Sequence, residues 1–349
     1  MTPTPEPDPN DARFWTEPGA HPVAPGVHRI PLPLPMDGLR AVNVYVLETD
    51  DGLTLIDGGW AIEESRDLLE KSLGTLGHGL ADIARFLVTH VHRDHYTQAV
   101  TVRREFGSHV SLGLGDKPTL DLILEPGAST VDPHVRMLRE AGATRIANGW
   151  EKFSADARPD LSQWDYPDAW LDGDHRIPVG DRVLDAVHTP GHTQGHYVFA
   201  DRAAGLLFAG DHVLPRITPS IGFEPVLADQ PLGDFLGSLA KVRAMPDLTL
   251  LPAHGPVAPS THARVDELVV HHDRRLDLCR AAVQAEPGTA YDVARALTWT
   301  RHEHALDDLD LFNAALATLE TRAHLVLLVA RGELRTSPSD DGVVYTLAG

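Results

Sequence analysis

The sequence predicts a mixed α+β fold in which one large domain carries a smaller C-terminal appendage. Three observations predict it. Short apolar runs bounded by Gly, Pro and Asp recur over 42–56 and again over 182–251, as strands do. Apolar residues at helical spacing fall between them, for example Phe235, Leu239 and Val242 at i, i+4 and i+7. From about residue 261 the chain turns helical and then closes on a hairpin signal. At 349 residues it exceeds a typical single domain and can bury a sizeable core.

Residues 1–24 are rich in Pro, Asp and Glu, with too few apolar side chains to offset ordering entropy, and read as a flexible arm or extended wrap. Folding starts near Val27. Segments 42–47 and 53–56 flank Thr49-Asp50-Asp51-Gly52, a hairpin signal with Gly where a positive φ is needed. A helix is expected over 62–76, a strand at Phe86-Leu87-Val88 and helical chain over 97–106. Residues 113–170 break the strand rhythm with helical stretches such as 135–141 and carry Trp150, Trp164 and Trp170, so they read as a helical insertion. Strands resume over 182–187, 197–200, 206–209 and 248–251. Farther on, Phe312, Leu316 and Leu319 mark a helix over 308–331 that ends at Arg331-Gly332. Segments 333–336 and 343–347 then flank a Ser-Pro-Ser-Asp-Asp-Gly turn. The expected units are the arm 1–24, a main domain 25–260 and a helical, winged-helix-like appendage 261–349.

Composition narrows the function. No run approaches the roughly 20 apolar residues of a membrane helix, and the N-terminus has neither a basic start nor an apolar signal core. Cys279 is the only cysteine, so no internal disulfide can form, and the expected compartment is the reducing cytoplasm. Fifty acidic against thirty basic residues give a formal charge of −20, which repels a polyanion and argues against nucleic acid. The 20 histidines direct attention to metals, since neutral imidazole is the commonest metal ligand.

Their placement is more specific. In Thr89-His90-Val91-His92-Arg93-Asp94-His95 an apolar strand runs into four ligand-type side chains within six residues. In extended chain His90 and His92 point the same way and can reach one ion. As the chain bends into a helix, Asp94 and His95 can face another. One tetrahedral ion would be crowded by all four, so two are implied.

This H-x-H-x-D-H pattern resembles the signature of the metallo-β-lactamase superfamily. Thr189-Pro190-Gly191-His192-Thr193, Ala209-Gly210-Asp211 and Pro252-Ala253-His254-Gly255 resemble that family's later motifs, in order, and Leu55-Ile56-Asp57-Gly58-Gly59 resembles its first. Any one of these histidines would more often be structural, and a lone Asp beside Gly would more often make an Asx-turn; the ordered set outweighs that reading. The resemblance covers about residues 27–260. It implies a four-layer αββα sandwich with His90, His92 and His192 on one ion, Asp94, His95 and His254 on a second, and Asp211 bridging. Asp57 would support the site from behind the ligands. The cofactors implied are two divalent ions, zinc first, with iron or manganese also suited to N and O donors.

The resemblance further implies hydrolysis of a small ester, thioester or lactone: a metal-bridging hydroxide attacks the carbonyl carbon, with Asp94 and Asp211 as the catalytic carboxylates and Asp94 or a metal-bound water relaying the proton. Asp211 is similar to the aspartate of hydroxyacylglutathione hydrolases, lactonases and nucleases, whereas true β-lactamases carry Cys or Ser there. An endoribonuclease or phosphodiesterase, and a mononuclear iron dioxygenase, are the alternative readings within the fold. The appendage resembles the extension of a subgroup that includes β-lactamase-like endoribonucleases and polyketide-releasing thioesterases, and its expected use is packing or homodimer formation. Arg93 and Tyr96 are candidates for the substrate pocket, against solvent exposure for Arg93 and packing for Tyr96. His196 and His212 adjoin ligand motifs and are candidates to support ligands or touch substrate. His271, His272, His302 and His304 read as surface or interdomain residues rather than a further metal site.

Overall fold

A computed structural model of the chain describes residues 14–35, 38–129, 131–153, 159–300 and 303–349. The chain starts as an antiparallel meander, β1 (His21–Ala24), β2 (Val27–Pro33), β3 (Ala41–Thr49) and β4 (Gly52–Ile56). The expected hairpin is β3–β4: Thr49 pairs with Gly52 across Asp50-Asp51, and Gly52 takes φ +111°. The direction then changes. Helix α1 (Glu63–Thr75) leads to β5 (Ile83–Leu87), α2 (Arg93–Phe106) leads to β6 (His109–Gly113), and α3 (Lys117–Leu124), α4 (Val131–Glu140) and α5 (Thr144–Phe153) precede β7 (Ala169–Leu171). Strands β4 to β7 run parallel, and each parallel step needs such a crossover. The result is one seven-stranded sheet in chain order.

A second, five-stranded sheet holds β8 (His175–Val179), β9 (Arg182–His188), β10 (Tyr197–Asp201), β11 (Leu206–Gly210) and, after α6 (Pro231–Arg243), β12 (Thr249–Pro252), in the order β12-β11-β10-β9-β8. Alternation along the strands builds the layers. Tyr45 and Leu47 of β3 meet Tyr197 and Phe199 of β10 and Leu206 and Phe208 of β11 in a core between the sheets. The intervening residues turn outward. Val42, Val44 and Val46 pack with Leu69, Leu73, Ala99 and Val100 of α1 and α2, and Val198, Ala200, Leu207 and Ala209 pack with α6 and the helices beyond it. The architecture is therefore αββα.

The C-terminal region contains α7 (Thr261–Ala285), β13 (Gly288–Thr289), α8 (Ala290–Ala296), the short pair β14 (Thr298–Trp299) and β15 (His304–Ala305), α9 (Leu311–Ala330), and the hairpin β16 (Leu334–Ser339) and β17 (Gly342–Leu347). Strand β13 adds a third strand beside β17, which the sequence did not signal. Pro338 pairs with Val343 inside β16 although it was expected in the turn; β16 is an edge strand, where a missing N–H costs no ladder bond. The sequence-expected arm divides: 1–13 lie outside the described residues, whereas Trp15 is buried, its carbonyl accepts from Arg29 Nη1 at 2.6 Å, and His21–Ala24 edges the first sheet. Among the described residues no helix is long and apolar enough to cross a membrane.

Candidate metal centre

Strands β4, β5, β9, β11 and β12 each end on one of the five motifs, and their C-terminal ends meet along one rim of the sandwich. Backbone bonds lock the rim: Asn43 N–H donates to Ala253 O, Ala253 N–H to Gly210 O and Tyr197 N–H to Thr89 O, at 2.7 to 3.0 Å. Two glycines permit the close approach. A Cβ on Gly210, at φ +51°, would lie 2.6 Å from His196 Nε2, and one on Gly191, at φ +141°, would lie 2.5 Å from Phe235 Cα; both distances are below any real contact. Helix α2 begins at Arg93, earlier than the pattern predicted, with His92 as its N-cap. His92, Asp94 and His95 therefore sit on a helix start rather than a loose turn.

Side chains from those motifs converge in two groups, His90, His92, His192 and Asp211, and Asp94, His95 and His254. In the first, His92 Nδ1 lies 2.9 Å from His90 Nε2 and 3.1 Å from His192 Nε2. Each imidazole is anchored through its other nitrogen: His90 Nδ1 on Thr89 Oγ1 at 3.0 Å, His92 Nε2 on Glu224 Oε1 at 2.5 Å, and His192 Nδ1 on Ser220 O at 2.8 Å. Thr89 Oγ1 donates its proton to Asp57 Oδ2, so it accepts from His90. With the rings neutral and their protons committed there, three lone pairs face one another, an arrangement that a cation between them satisfies. Their spacing is close to the roughly 3.3 Å edge of a tetrahedron of nitrogens about 2.0 Å from zinc.

In the second group, His95 Nδ1 donates to Asp57 Oδ2 at 2.9 Å and His254 Nδ1 to Ala41 O at 2.8 Å. Their Nε2 atoms approach Asp94 Oδ2 at 3.6 and 3.5 Å. His95 Nε2, His254 Nε2 and Asp211 Oδ1 are buried without a hydrogen-bond partner, a costly state for groups with lone pairs to satisfy. Asp211 spans both groups: Oδ2 is 3.4 Å from His192 Nε2 and 4.0 Å from His90 Nε2, while Oδ1 is 3.3 Å from His254 Nε2 and 3.7 Å from His95 Nε2. The acids draw positive charge inward. Burial works against protonating His95, but Asp94, Asp57 and Asp211 outweigh it and raise the imidazole to about 9. These donors fit divalent cations.

The other expected residues fall in distinct places. Asp57 binds Thr89 N–H and His95 behind the ligands. His196 stacks on His90, donates to Thr189 Oγ1 at 3.0 Å and accepts from Asp211 N–H at 3.1 Å; burial above all keeps it neutral. His212 lies deeper, edge-on to Phe235, and burial lowers it to about 3. Arg93 is exposed and stacks on Trp60 at 4.3 Å. Tyr96 is not brought to the cluster: its ring packs near Trp164 and its hydroxyl donates to Asp165 O at 2.7 Å. His271, His272 and Glu320 bring ligand-type atoms within 4.8 Å of one another, but burial and then the charges of Arg275, Arg264 and Arg274 disfavour positive charge at His271, and hence a cation beside it. His304 lies on β15, and His302 is outside the described residues.

Sequence reasoning missed Glu224 and Asp116. Asp116 accepts from Val91 N–H at 2.9 Å and Gly195 N–H at 2.7 Å, joining the loops that carry His92 and His192, and burial pushes its carboxyl up to about 7. Both acids sit in stretches with no motif, so only proximity in space singles them out.

A buried His and Asp cluster at the rim of an αββα sandwich is the site of a metal-dependent enzyme, and likeness to a named metallo-hydrolase makes that enzyme a hydrolase. The chain belongs to the metallo-beta-lactamase superfamily, whose profile matches residues 37–254. It is 25% identical over 341 residues to the probable metallo-hydrolase YqjP of Bacillus subtilis strain 168, covering 91% of this chain and 95% of that protein. It is also 25% identical over 245 residues to the atrochrysone carboxyl ACP thioesterase AacuM of Aspergillus aculeatus, a match spanning 70% of this chain but only 60% of the thioesterase. Among solved structures, a metallo-beta-lactamase family protein from Thermus thermophilus superposes with a TM-score of 0.78 at 26% identity, covering 93% of this chain and 100% of that one. A beta-lactamase domain protein from Burkholderia ambifaria gives 0.73 at 27% identity, covering 94% and 95%.

Proposed function

We propose that the protein is a dinuclear hydrolase of small carbonyl substrates, a thioester first and an ester or lactone next, with zinc as the metal. The observation that carries this reading is Asp211, whose two oxygens divide between the two ligand groups at 3.3 to 4.0 Å. His90, His92 and His192 would hold one ion, Asp94, His95 and His254 the other, and Asp211 both. When bound, such ions supply an acidified water as nucleophile and Lewis acidity toward the carbonyl oxygen. The chain's own groups do the rest. The anchored second nitrogens hold five imidazoles in one tautomer, so no ligand has to reorient during turnover. Asp94 is 16% exposed, against 9% or less for Asp211, His95 and His254; it therefore reaches the open side, where it can take the proton of the attacking water and return it to the departing sulfur or oxygen. Water adds across the C–S or C–O bond, giving an acid and a thiol or alcohol. Arg93 has no carboxylate partner among the described residues and can meet an anionic substrate, whereas the Tyr96 hydroxyl is already engaged. The relative named as an acyl-carrier thioesterase supports the choice of thioester.

The test is elemental analysis with hydrolysis assays on panels of acyl thioesters, esters and lactones. Purified protein should hold about two ions per chain and cleave at least one panel, and Asp211→Ala should lower kcat/KM by at least about 10³-fold with loss of bound metal. A fully loaded protein inert toward all three panels would refute the reading.

A further inference from the structure

The segment between β11 and α6 reaches both histidines that converge on His90. Ser220 O accepts from His192 Nδ1 at 2.8 Å and Glu224 Oε1 accepts from His92 Nε2 at 2.5 Å. Glu224 is 7% exposed, and its bond to His92 leaves Nδ1 as the nitrogen that faces His90 and His192. The same segment is tied elsewhere. Val226 O accepts from Gln194 Nε2 at 2.8 Å and Phe223 O from His134 Nε2 of α4 at 2.7 Å. The Phe223 ring meets Trp150 of α5 at 5.5 Å and Phe312 of α9 at 5.7 Å. Gly222, at φ +85°, lies so close to α9 that an added Cβ would be 3.1 Å from Ala323 Cβ and 3.2 Å from Leu319 O.

We propose that Glu224 is a positioning residue that fixes the ring orientation of His92, and that helix α9, through Gly222 and Phe223, holds Glu224 in place, making the C-terminal region part of the frame of the metal centre. The physical reason lies in the imidazole's two faces. A histidine free to flip presents either Nδ1 or Nε2, and only the first is aimed at the cluster here. A buried carboxylate accepting the Nε2 proton in a short, charge-assisted bond removes the alternative. The segment has no strand or helix of its own, so its register comes from what it rests on.

This inference depends on the metal reading of the cluster but not on any substrate, and its test reads metal rather than turnover. Zinc affinity is measured on the full chain by chelator competition, and cobalt(II) is substituted so that its d–d absorption reports the ligand field. Glu224→Ala should weaken the ion on His90, His92 and His192 by about 10- to 100-fold and alter the cobalt spectrum. The isosteric Glu224→Gln, which keeps an acceptor oxygen but no charge, should restore the spectrum and part of the affinity. Gly222→Ala, whose added Cβ meets Ala323 and Leu319 of α9 rather than a metal-binding side chain, should shift affinity in the same direction as Glu224→Ala. Unaltered affinity and spectrum in Glu224→Ala and Gly222→Ala would overturn the proposal, as would variants whose metal-free unfolding temperature falls while their metal binding stays that of the wild type. Wild-type protein that binds neither ion would remove the metal reading and this inference with it.

Discussion

Asp57 shows how much a single side chain is asked to do at this site. It sits at φ +63°, a conformation that costs a non-glycine residue of order 1 kcal/mol or more. In return its carboxylate takes Thr89 N–H at 2.7 Å, Thr89 Oγ1–H at 3.1 Å and His95 Nδ1–H at 2.9 Å. One residue thereby fixes the start of the loop that carries His90 and His92 and the tautomer of His95. Asp57→Asn, which presents one oxygen and an NH2 where two oxygens are needed, should weaken the ion held by Asp94, His95 and His254 by about 10- to 100-fold. Its effect on the His92 side should be smaller. Equal loss at both ions, or none, would contradict this. Asp57 was legible because it lies in a motif; Glu224, doing comparable work for His92, lies 132 positions from its partner in a stretch without pattern.

At the scale of elements, helices α7 and α9 meet through histidines. His272 and His324 stack with Nδ1 and Nε2 3.2 Å apart, and His324 Nδ1 donates to Glu320 O. Burial, more than neighbouring charge, lowers His272 to about 2 and His324 to about 4. Both stay neutral in the folded chain at pH values where the unfolded chain, titrating near 6.5, has taken up protons. The unfolded state therefore binds more protons below about pH 6.5, and stability falls as the pH is lowered from there toward about 4. Thermal unfolding followed at several pH values should show a smaller acid-induced drop in Tm for His324→Gln than for wild type; identical drops would refute it. Helix α9 was visible as apolar periodicity at Phe312, Leu316 and Leu319, and α7 only as helical chain from about 261. The pairing of these two rings was not, because 52 residues separate them and adjacency along a helix says nothing about which helix lies opposite.

For the whole molecule, the informative feature is one of its buried clusters, which draws residues from both sides of position 260. Val198, Leu207 and Leu250 of the second sheet, Phe235 and Leu239 of α6, Leu276 and Cys279 of α7, Leu325 and Leu328 of α9, and Leu138 and Trp150 of the intervening helices belong to one buried cluster. A chain ending at residue 260 would strip α7 and α9 from α4, α5 and α6 and expose the apolar faces they cover, a patch of the kind monomeric surfaces rarely carry. Such a truncation should fail to unfold cooperatively and should aggregate. Cooperative unfolding with wild-type metal content would show instead that 261–349 is dispensable.

Local order in the sequence settled what local physics controls. The turn at Asp50-Asp51-Gly52, the strand runs, the C-terminal ends of α2 and α9 and the crowding of His90, His92, Asp94 and His95 within one strand exit follow from backbone preference and side-chain spacing. The candidate ligands His192, Asp211 and His254 were legible as motifs, yet their convergence depends on parallel strand ends meeting at one rim. The family resemblance already implied Asp211 between the two groups, and packing was one of the two readings of Tyr96; only the tertiary structure decided that Glu224 and Asp116 stand behind the site. Those outcomes depend on contacts between segments tens to hundreds of residues apart, set by how two sheets and their helices pack, and no short-range pattern encodes them.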